Sequence, residues 1–531
     1  MQKQVDEETL LLQDSKDAAY VIQINSKSEK TYVLVSLYVG VLLAALDGTV
    51  VASLLSHIAS ELGNLSFAPW IASSYMILSS AFQPLFGKLS DVFGRKRCLL
   101  ACHTLFAFGS LLSGLSNGMS LLIIGRCIQG IGGGGLVALS SIVVSDMIPL
   151  RERGIYQGIG NISFGVGASL GGSFGGIVSD RFGWRYAFLG QITISCVAMS
   201  LVYSKLNEIN TKRIEDACSQ LQRVDFAGSF SLLGSLIFFF LALNLGGKYA
   251  PWRSPQIVLL LLLFVVLFLF FLRAEHRHPK KAIVPLNLFR SATVCICSIL
   301  CLLSSMAAYS YIFNLPIYIE IVLGKSASAS GLILAVNFIG VMFGSLSSGF
   351  IMRATGGYKV LLLLSGLIYF VNCSVLYHFD VTTPTKMQAL TVCCLGFGYS
   401  SIVTVSLVAL MSSVSPRLQA VSSSVLYASR GFGSTVGVAV SSSIFANSLR
   451  YYLSRYVTGP ERQRIIDLAL SSSDAVKTFP TRYKLQAIQA YMSSLKIVFG
   501  FILILSALIW LVSIPMKQHA LNRPTETLEE A

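Results

Sequence analysis

Residues 87–97 read GKLSDVFGRKR, two glycines and a knot of charge between two apolar runs. The rest of the chain carries little charge: 12% of its residues are charged, 54% are hydrophobic, and the mean hydropathy is +0.69. A soluble globular chain would carry about twice as much charge. Apolar stretches of about 20 residues recur along nearly the whole length, each able to cross a hydrocarbon layer ~30 Å thick as a helix. The sequence shows none of the ~10-residue alternating segments that a membrane β-barrel requires. Composition therefore predicts an all-α polytopic membrane protein. In that setting 87–97 reads as a short loop outside the membrane. Arg95, Lys96 and Arg97 hold it there, while Gly87 and Gly94 permit close helix approach and a tight turn.

Outward from this loop, about fourteen spans can be read, from 32–56 to 494–515. An even number places both termini on one side. The loops after spans two, four, six and eight carry Arg95, Arg151, Arg153, Lys212, Arg223, Arg273 and Lys280, whereas 57–68 has no Lys or Arg. The termini are therefore expected in the cytosol. The basic stretch 447–493 is expected on the other side, and long segments obey the charge rule poorly. The net charge of +15 is spread over such loops and forms no basic domain, so no nucleic-acid partner is expected. The eleven cysteines show no zinc or disulfide pattern, and no metal site is expected. Residues 1–30 are polar and the first apolar run is too long for a signal h-region, so no cleavable signal is expected.

A faint repeat relates 87–96, GKLSDVFGRK, to 349–359, GFIMRATGGYK. Each follows the second span of a six-span half if two spans are inserted between the halves. The resulting division is a cytosolic tail 1–31, an N-terminal bundle 32–205, a linker 206–290 with two inserted helices, a C-terminal bundle 291–515 and a cytosolic tail 516–531. Parallel six-helix halves with a site at their interface define a transporter architecture.

These residues resemble a known family. GKLSDVFGRKR is similar to the signature loop of the major facilitator superfamily, and GRCIQGIGGGG at 125–135 to its fourth-helix motif. LDGTVVASLL at 46–55 resembles the first-helix motif of the fourteen-span drug:proton antiporter branch. Within that branch, ALDGTVVAS together with TGGYK looks most like the fungal vacuolar basic amino acid transporters. The resemblance implies a major facilitator fold, two six-helix bundles plus two inserted helices. It also implies a proton-coupled carrier of a small-molecule substrate with no cofactor. One stretch departs from the branch: GVGASLGGSFGG at 165–176 has Ala168 and Ser173 where the antiporter motif usually has prolines. That puts the helix bend thought to favour antiport in question.

Charges inside spans are functional suspects because they are costly there. Asp47 lies about ten residues, or ~15 Å, from the outer end of span one, and Arg126 about seven residues into span four. They can meet, either as a static ion pair or as a proton-coupling pair, with Asp47 also a candidate substrate contact. Arg430 is near mid-depth in span thirteen, to receive a substrate carboxylate, to tie the second half together or to snorkel to the cytosol. Glu320 at the outer end of span nine either attracts a cation or is a lip residue. Asn161, Asn337 and Asn372 are helix-bridging candidates, and Asn337 is also a candidate substrate contact. Gly87, Asp91, Gly94, Arg95 and Arg97 form a candidate conformational latch, with Asp91 pairing with Arg95 or with a neighbouring helix end.

The tail adds an acidic dileucine pattern, Glu7 with Leu11 and Leu12, of the kind sorting adaptors read. Asn64 opens an N-x-S sequon whose closeness to the membrane argues against its use. The function expected is antiport of lysine, arginine and histidine from the cytosol into the vacuole against protons. The rivals are a plasma-membrane multidrug:proton antiporter and a nutrient receptor that scarcely transports. No nucleophile–base set, cofactor motif or phosphate loop appears in the sequence, so an enzyme is not expected.

Overall fold

The computed structural model describes residues 20–23, 26–62, 68–210, 225–246, 251–277, 286–414, 416–471, 476 and 479–519. Among these, fourteen long helices run in the order α1 Lys27–Glu61, α2 Ala68–Phe93, α3 Arg95–Gly114, α4 Met119–Met147, α5 Leu150–Phe182, α6 Trp184–Lys205, α7 Phe226–Leu245, α8 Pro255–Arg277, α9 Ala292–Ile317, α10 Ala327–Thr355, α11 Lys359–Tyr377, α12 Thr385–Ser413, α13 Pro416–Tyr456 and α14 Thr481–Ser513. Twelve are long and apolar enough to cross a membrane. The other two, α2 and α13, face each other across the middle of the molecule, where Ser80 Oγ lies 3.5 Å from Thr435 Oγ1.

Helix ends depart most from expectation near the C terminus. The expected loop 447–493 narrows, because α13 continues to Tyr456 and α14 begins at Thr481, with a short helix Arg462–Ser471 between them. Hydropathy marks where a segment enters lipid, whereas a helix extends as long as its i→i−4 ladder does.

The buried side chains of the two six-helix sets form separate cores. Helices α1–α6 surround cores that include Phe106, Leu136 and Phe188, while α9–α14 surround a separate core that includes Tyr311, Tyr369 and Phe499. Small residues set the closest approaches: a β-carbon on Gly130 of α4 would fall 2.6 Å from the carbonyl of Tyr75 on α2. The inserted pair lies over the seam between the halves. Leu232 and Leu233 of α7 pack on Ala81 and Leu85 of α2, and Phe239 stacks on Phe432 of α13 with ring centroids 5.0 Å apart.

We call the end holding residues 20–23 and 514–519 the base and the opposite end the far face. From the base to mid-depth the halves bond to each other. Arg353 pairs with Glu152 at 3.2 Å, and Arg153 Nη1 donates to Gln419 Oε1 at 2.7 Å. Deeper, Asn161 Nδ2 on α5 donates to Ser345 Oγ on α10 at 2.8 Å and to Thr404 Oγ1 on α12 at 3.3 Å. The base also carries a two-stranded antiparallel ladder, β1 Tyr20–Gln23 with β2 Asn207–Asn210, in which Tyr20 is opposite Asn210.

Candidate functional site

Among the described residues the N-terminal half contains one fully buried charge pair, and the packing of α1, α2 and α4 creates it. Asp47 and Arg126 are 79 residues apart in the chain, and both are 0% exposed. Arg126 Nη1 donates to the two Asp47 oxygens at 2.8 and 2.6 Å and to Gln129 Oε1 at 2.6 Å, and Nε donates to the Ile71 carbonyl at 3.1 Å. Gln129 Nε2 donates to Asp47 Oδ1 at 2.9 Å and to Ser110 Oγ at 2.8 Å. The guanidinium also lies over the Tyr75 ring, 4.5 Å from its centroid. Every polar atom named here has a partner. A low-dielectric surround demands this, because an unpaired charge at this depth costs several kcal/mol. Gln129 and Tyr75 complete the pair. Gln129 stands in the fourth-helix motif, but only the packing shows it bonded to Asp47.

The seam between the halves holds a different kind of charge. Arg430, about 14 residues into α13, points at the opposite half. Its Nε donates to Tyr399 OH on α12 at 3.0 Å, and its guanidinium carbon lies 5.7 Å from the Phe164 ring centroid on α5. Among the described residues no carboxylate pairs with it. Beside it is a cavity of ≈ 30 Å³ between the halves, lined by Tyr38, Tyr156, Asn161, Phe164 and Tyr427 as well as Arg430. That is about the space of one water. The cavity is too small to hold an amino acid in this state. Its lining is aromatic and hydroxyl-bearing, with no carboxylate.

The remaining candidates fall in separate places. Asn337 is buried, and its Nδ2 donates to Tyr311 OH at 2.6 Å and to the Val392 carbonyl at 3.0 Å. Its amide thus ties α9, α10 and α12 within one half. Glu320 lies at the far face, in a π-helical turn Tyr318–Val322 that continues α9. Glu7, Leu11, Leu12 and Asn64 lie outside the described residues.

The latch residues assemble at the base. Gly94 adopts φ +94° between α2 and α3, a conformation that favours glycine. Arg95 pairs with Asp91 at 2.5 Å and with Asp146, at the end of α4, at 3.0 Å. Gly87 is buried, its carbonyl accepting from Ser90 Oγ at 2.8 Å, and Arg97 is exposed. The pairing of Asp91 with Arg95 is as the sequence suggests. In this state the cluster joins helix ends within one bundle, since among the described residues the side-chain partners of Asp91 and Arg95 all belong to the N-terminal half.

Two residues of this cluster escaped sequence reading, Asp146 and Glu208. Glu208 Oε1 accepts from the Arg95 amide at 2.7 Å and Oε2 from the Lys96 amide at 3.1 Å, capping α3 from the far end of the half. Burial pushes the Glu208 carboxyl above the usual range, and the two amide donors pull it partly back. An acid 113 residues from the helix it caps leaves no local signal.

The chain is 33% identical over 501 residues to Multidrug resistance protein fnx1 of Schizosaccharomyces pombe, covering 93% of each chain. It is 33% identical over 422 residues to Vacuolar basic amino acid transporter 2 of Saccharomyces cerevisiae, covering 77% of this chain and 89% of that one. A crystal structure of a double-Trp mutant of XylE superposes with a TM-score of 0.59 at 16% identity, over 93% of this chain and 98% of that one, a likeness of fold. The family model described as Major Facilitator Superfamily matches 37–221 and 221–438, about one match to each half. Two bundles meeting at a polar seam, the signature loop between α2 and α3, and these matches together place the chain in the Major Facilitator Superfamily, as a multi-pass membrane transporter.

Proposed function

We propose that the chain moves basic amino acids from the cytosol into the vacuole in exchange for protons. The observation that carries this reading is Arg430, a cation at the seam with no carboxylate partner among the described residues, its guanidinium held between Tyr399 and Phe164. An amino acid supplies the missing carboxylate, and a bidentate guanidinium suits it. The tyrosine rings and hydroxyls around the cavity suit a cationic side chain through π-faces and neutral acceptors. A purely cationic drug meets Arg430 as a like charge, which disfavours the multidrug reading. The abundant aromatic lining is the feature that favours it. The relatives bear names of both kinds.

Asp47 is the coupling carboxylate in this scheme. When the halves rock about the seam, α1 and α4 shift against α2. Any loosening of the Asp47–Arg126 pair raises the proton affinity of Asp47, because an unpaired carboxylate in apolar surroundings favours its neutral form. Proton release follows when Arg126 and Gln129 close on it again. Each pH unit across the membrane supplies ~1.4 kcal/mol per proton to drive the exchange. The decisive experiment is uptake of labelled lysine, arginine and histidine into isolated vacuoles with and without the protein, under ATP-driven acidification. Protein-dependent accumulation that a protonophore abolishes supports the proposal. Equal uptake in both preparations overturns it, and protein-dependent transport of lipophilic cations in place of amino acids would favour the multidrug reading.

A further inference from the structure

A second cavity lies away from the seam, at the far face of the C-terminal half. It measures ≈ 370 Å³ and is lined by residues 320–324, at and just beyond the π-helical turn, by Val476, and by Lys484 and Ile488 of α14. This volume falls within the range of small-molecule sites, ~300–1,000 Å³. Pro316 precedes the turn. It removes one backbone donor from α9, and the helix then widens to a π turn at Tyr318–Val322.

The two charges in this cavity stand at the wrong helix ends. Glu320 sits in the last turn of the continuous helix α9–Val322, where the unsatisfied carbonyls already make the end negative. Lys484 sits in the first turn of α14, beside amides that make that end positive, with no side-chain cap at Pro480. Each charge is therefore disfavoured by its own helix. Nor do they relieve each other: both line the cavity, yet no ion pair joins them within 4.0 Å, and neither has another side-chain partner among the described residues. A local rule broken twice around one cavity, with no compensating bond, marks a place where a ligand supplies the compensation.

We propose that this cavity binds a zwitterionic α-amino acid, its ammonium at Glu320 and the carbonyl end of α9, its carboxylate at Lys484 and the amide end of α14. The ligand then inverts the charge pattern of the site, placing positive charge at the negative helix end and negative charge at the positive one. The site is separate from the seam and opens on the far face, so it responds to amino acid on that side of the membrane. The proposal rests on the reading that the protein handles amino acids. It adds a second binding position per chain.

The test is equilibrium binding of labelled L-lysine to the purified full-length protein, with 1,5-diaminopentane as competitor. Two lysines per chain are expected. Glu320→Gln or Lys484→Gln should each reduce this to one, with thermal unfolding unchanged. Arg430→Ala should remove the other one. The diamine, lacking a carboxylate, should not displace lysine from the site that remains in Arg430→Ala. One lysine per chain, lost in Arg430→Ala and kept in both cavity variants, overturns this site and leaves the transport reading intact. One lysine lost only in the cavity variants supports the site and overturns the assignment of Arg430. Absence of lysine, arginine and histidine binding in the unaltered protein overturns both.

Discussion

The two halves solve one capping problem alike and distribute charge differently. In the N-terminal half the amides of Arg95 and Lys96, at the start of α3, are bonded by the Glu208 carboxylate. In the C-terminal half the amides of Tyr358 and Lys359, at the start of α11, are bonded by Gln518 Oε1 at 3.2 and 2.9 Å. Both caps arrive from just beyond the last helix of their half, and both follow a glycine with positive φ, Gly94 or Gly356. The orphan amides of a helix start require an acceptor, and the fold supplies one at the same place twice. Inside the bundles the likeness stops. The N-terminal half buries the ion pair Asp47–Arg126, whereas the C-terminal half ties its helices with the neutral amides of Asn314 and Asn337. The repeated feature is backbone satisfaction. The chemistry that differs, a titratable carboxylate in one half and a lone guanidinium at the seam of the other, is where a division of labour between proton and substrate would reside.

The strongest test of that division is Asp47→Asn. The variant keeps the size and hydrogen bonds of the side chain and cannot exchange a proton. Accumulation of substrate against its gradient should fall to the level of vacuoles lacking the protein, while exchange without a gradient persists. Concentrative, protonophore-sensitive uptake in this variant would place the proton elsewhere. Arg430→Lys comes next. A lysine keeps the charge and loses the planar fork, so half-saturation should rise about tenfold or more, corresponding to ~1.5–3 kcal/mol for a charge-assisted hydrogen bond. An unchanged half-saturation with normal stability would return Arg430 to a structural role.

Asn337→Ala sharpens the contrast from the other side. It leaves Tyr311 OH without its donor in a buried site, at a cost of ~1–3 kcal/mol. Thermal unfolding should shift down while proton coupling in the surviving protein is unchanged. Loss of coupling at normal stability would mean the C-terminal half also handles the proton. Asp91→Asn should slow transport only a few-fold, because Arg95 keeps its second carboxylate at Asp146. Wild-type kinetics in this variant would leave the loop an anchoring role alone. The smallest effect belongs to Glu208→Gln, which gives the first half the cap of the second. It exchanges charged acceptors for a neutral one, about 1 kcal/mol of stability. A complete loss of folding would show that the two caps are not equivalent.

Several of these features were legible in the sequence, and each has a local cause. Apolar run length identified the spans, since crossing lipid depends on composition over about 20 consecutive residues. The loop GKLSDVFGRKR announced a tight, charged turn, and Gly94 with φ +94° and the Arg95–Asp91 pair bear that out, four residues apart on adjoining helix ends. The depth of Asp47 and Arg126 followed from helical rise alone. Their meeting, the closure by Gln129, and the way Arg430 faces Phe164 of the other half depended on which helix faces rotate together. Hydropathy along a single helix leaves that rotation open when all its sides are apolar. Glycines on α4 that admit α2 to near contact, and the bonds of Asn161 to Ser345 and Thr404, settle the rotation through packing at a distance. The sequence by itself determined where apolar segments long enough to cross a membrane lie and which of them carry a charge. For charges distant in the chain, tertiary structure decided which are paired and which are left at a seam, because such pairing is a property of two faces brought within about 3 Å of each other.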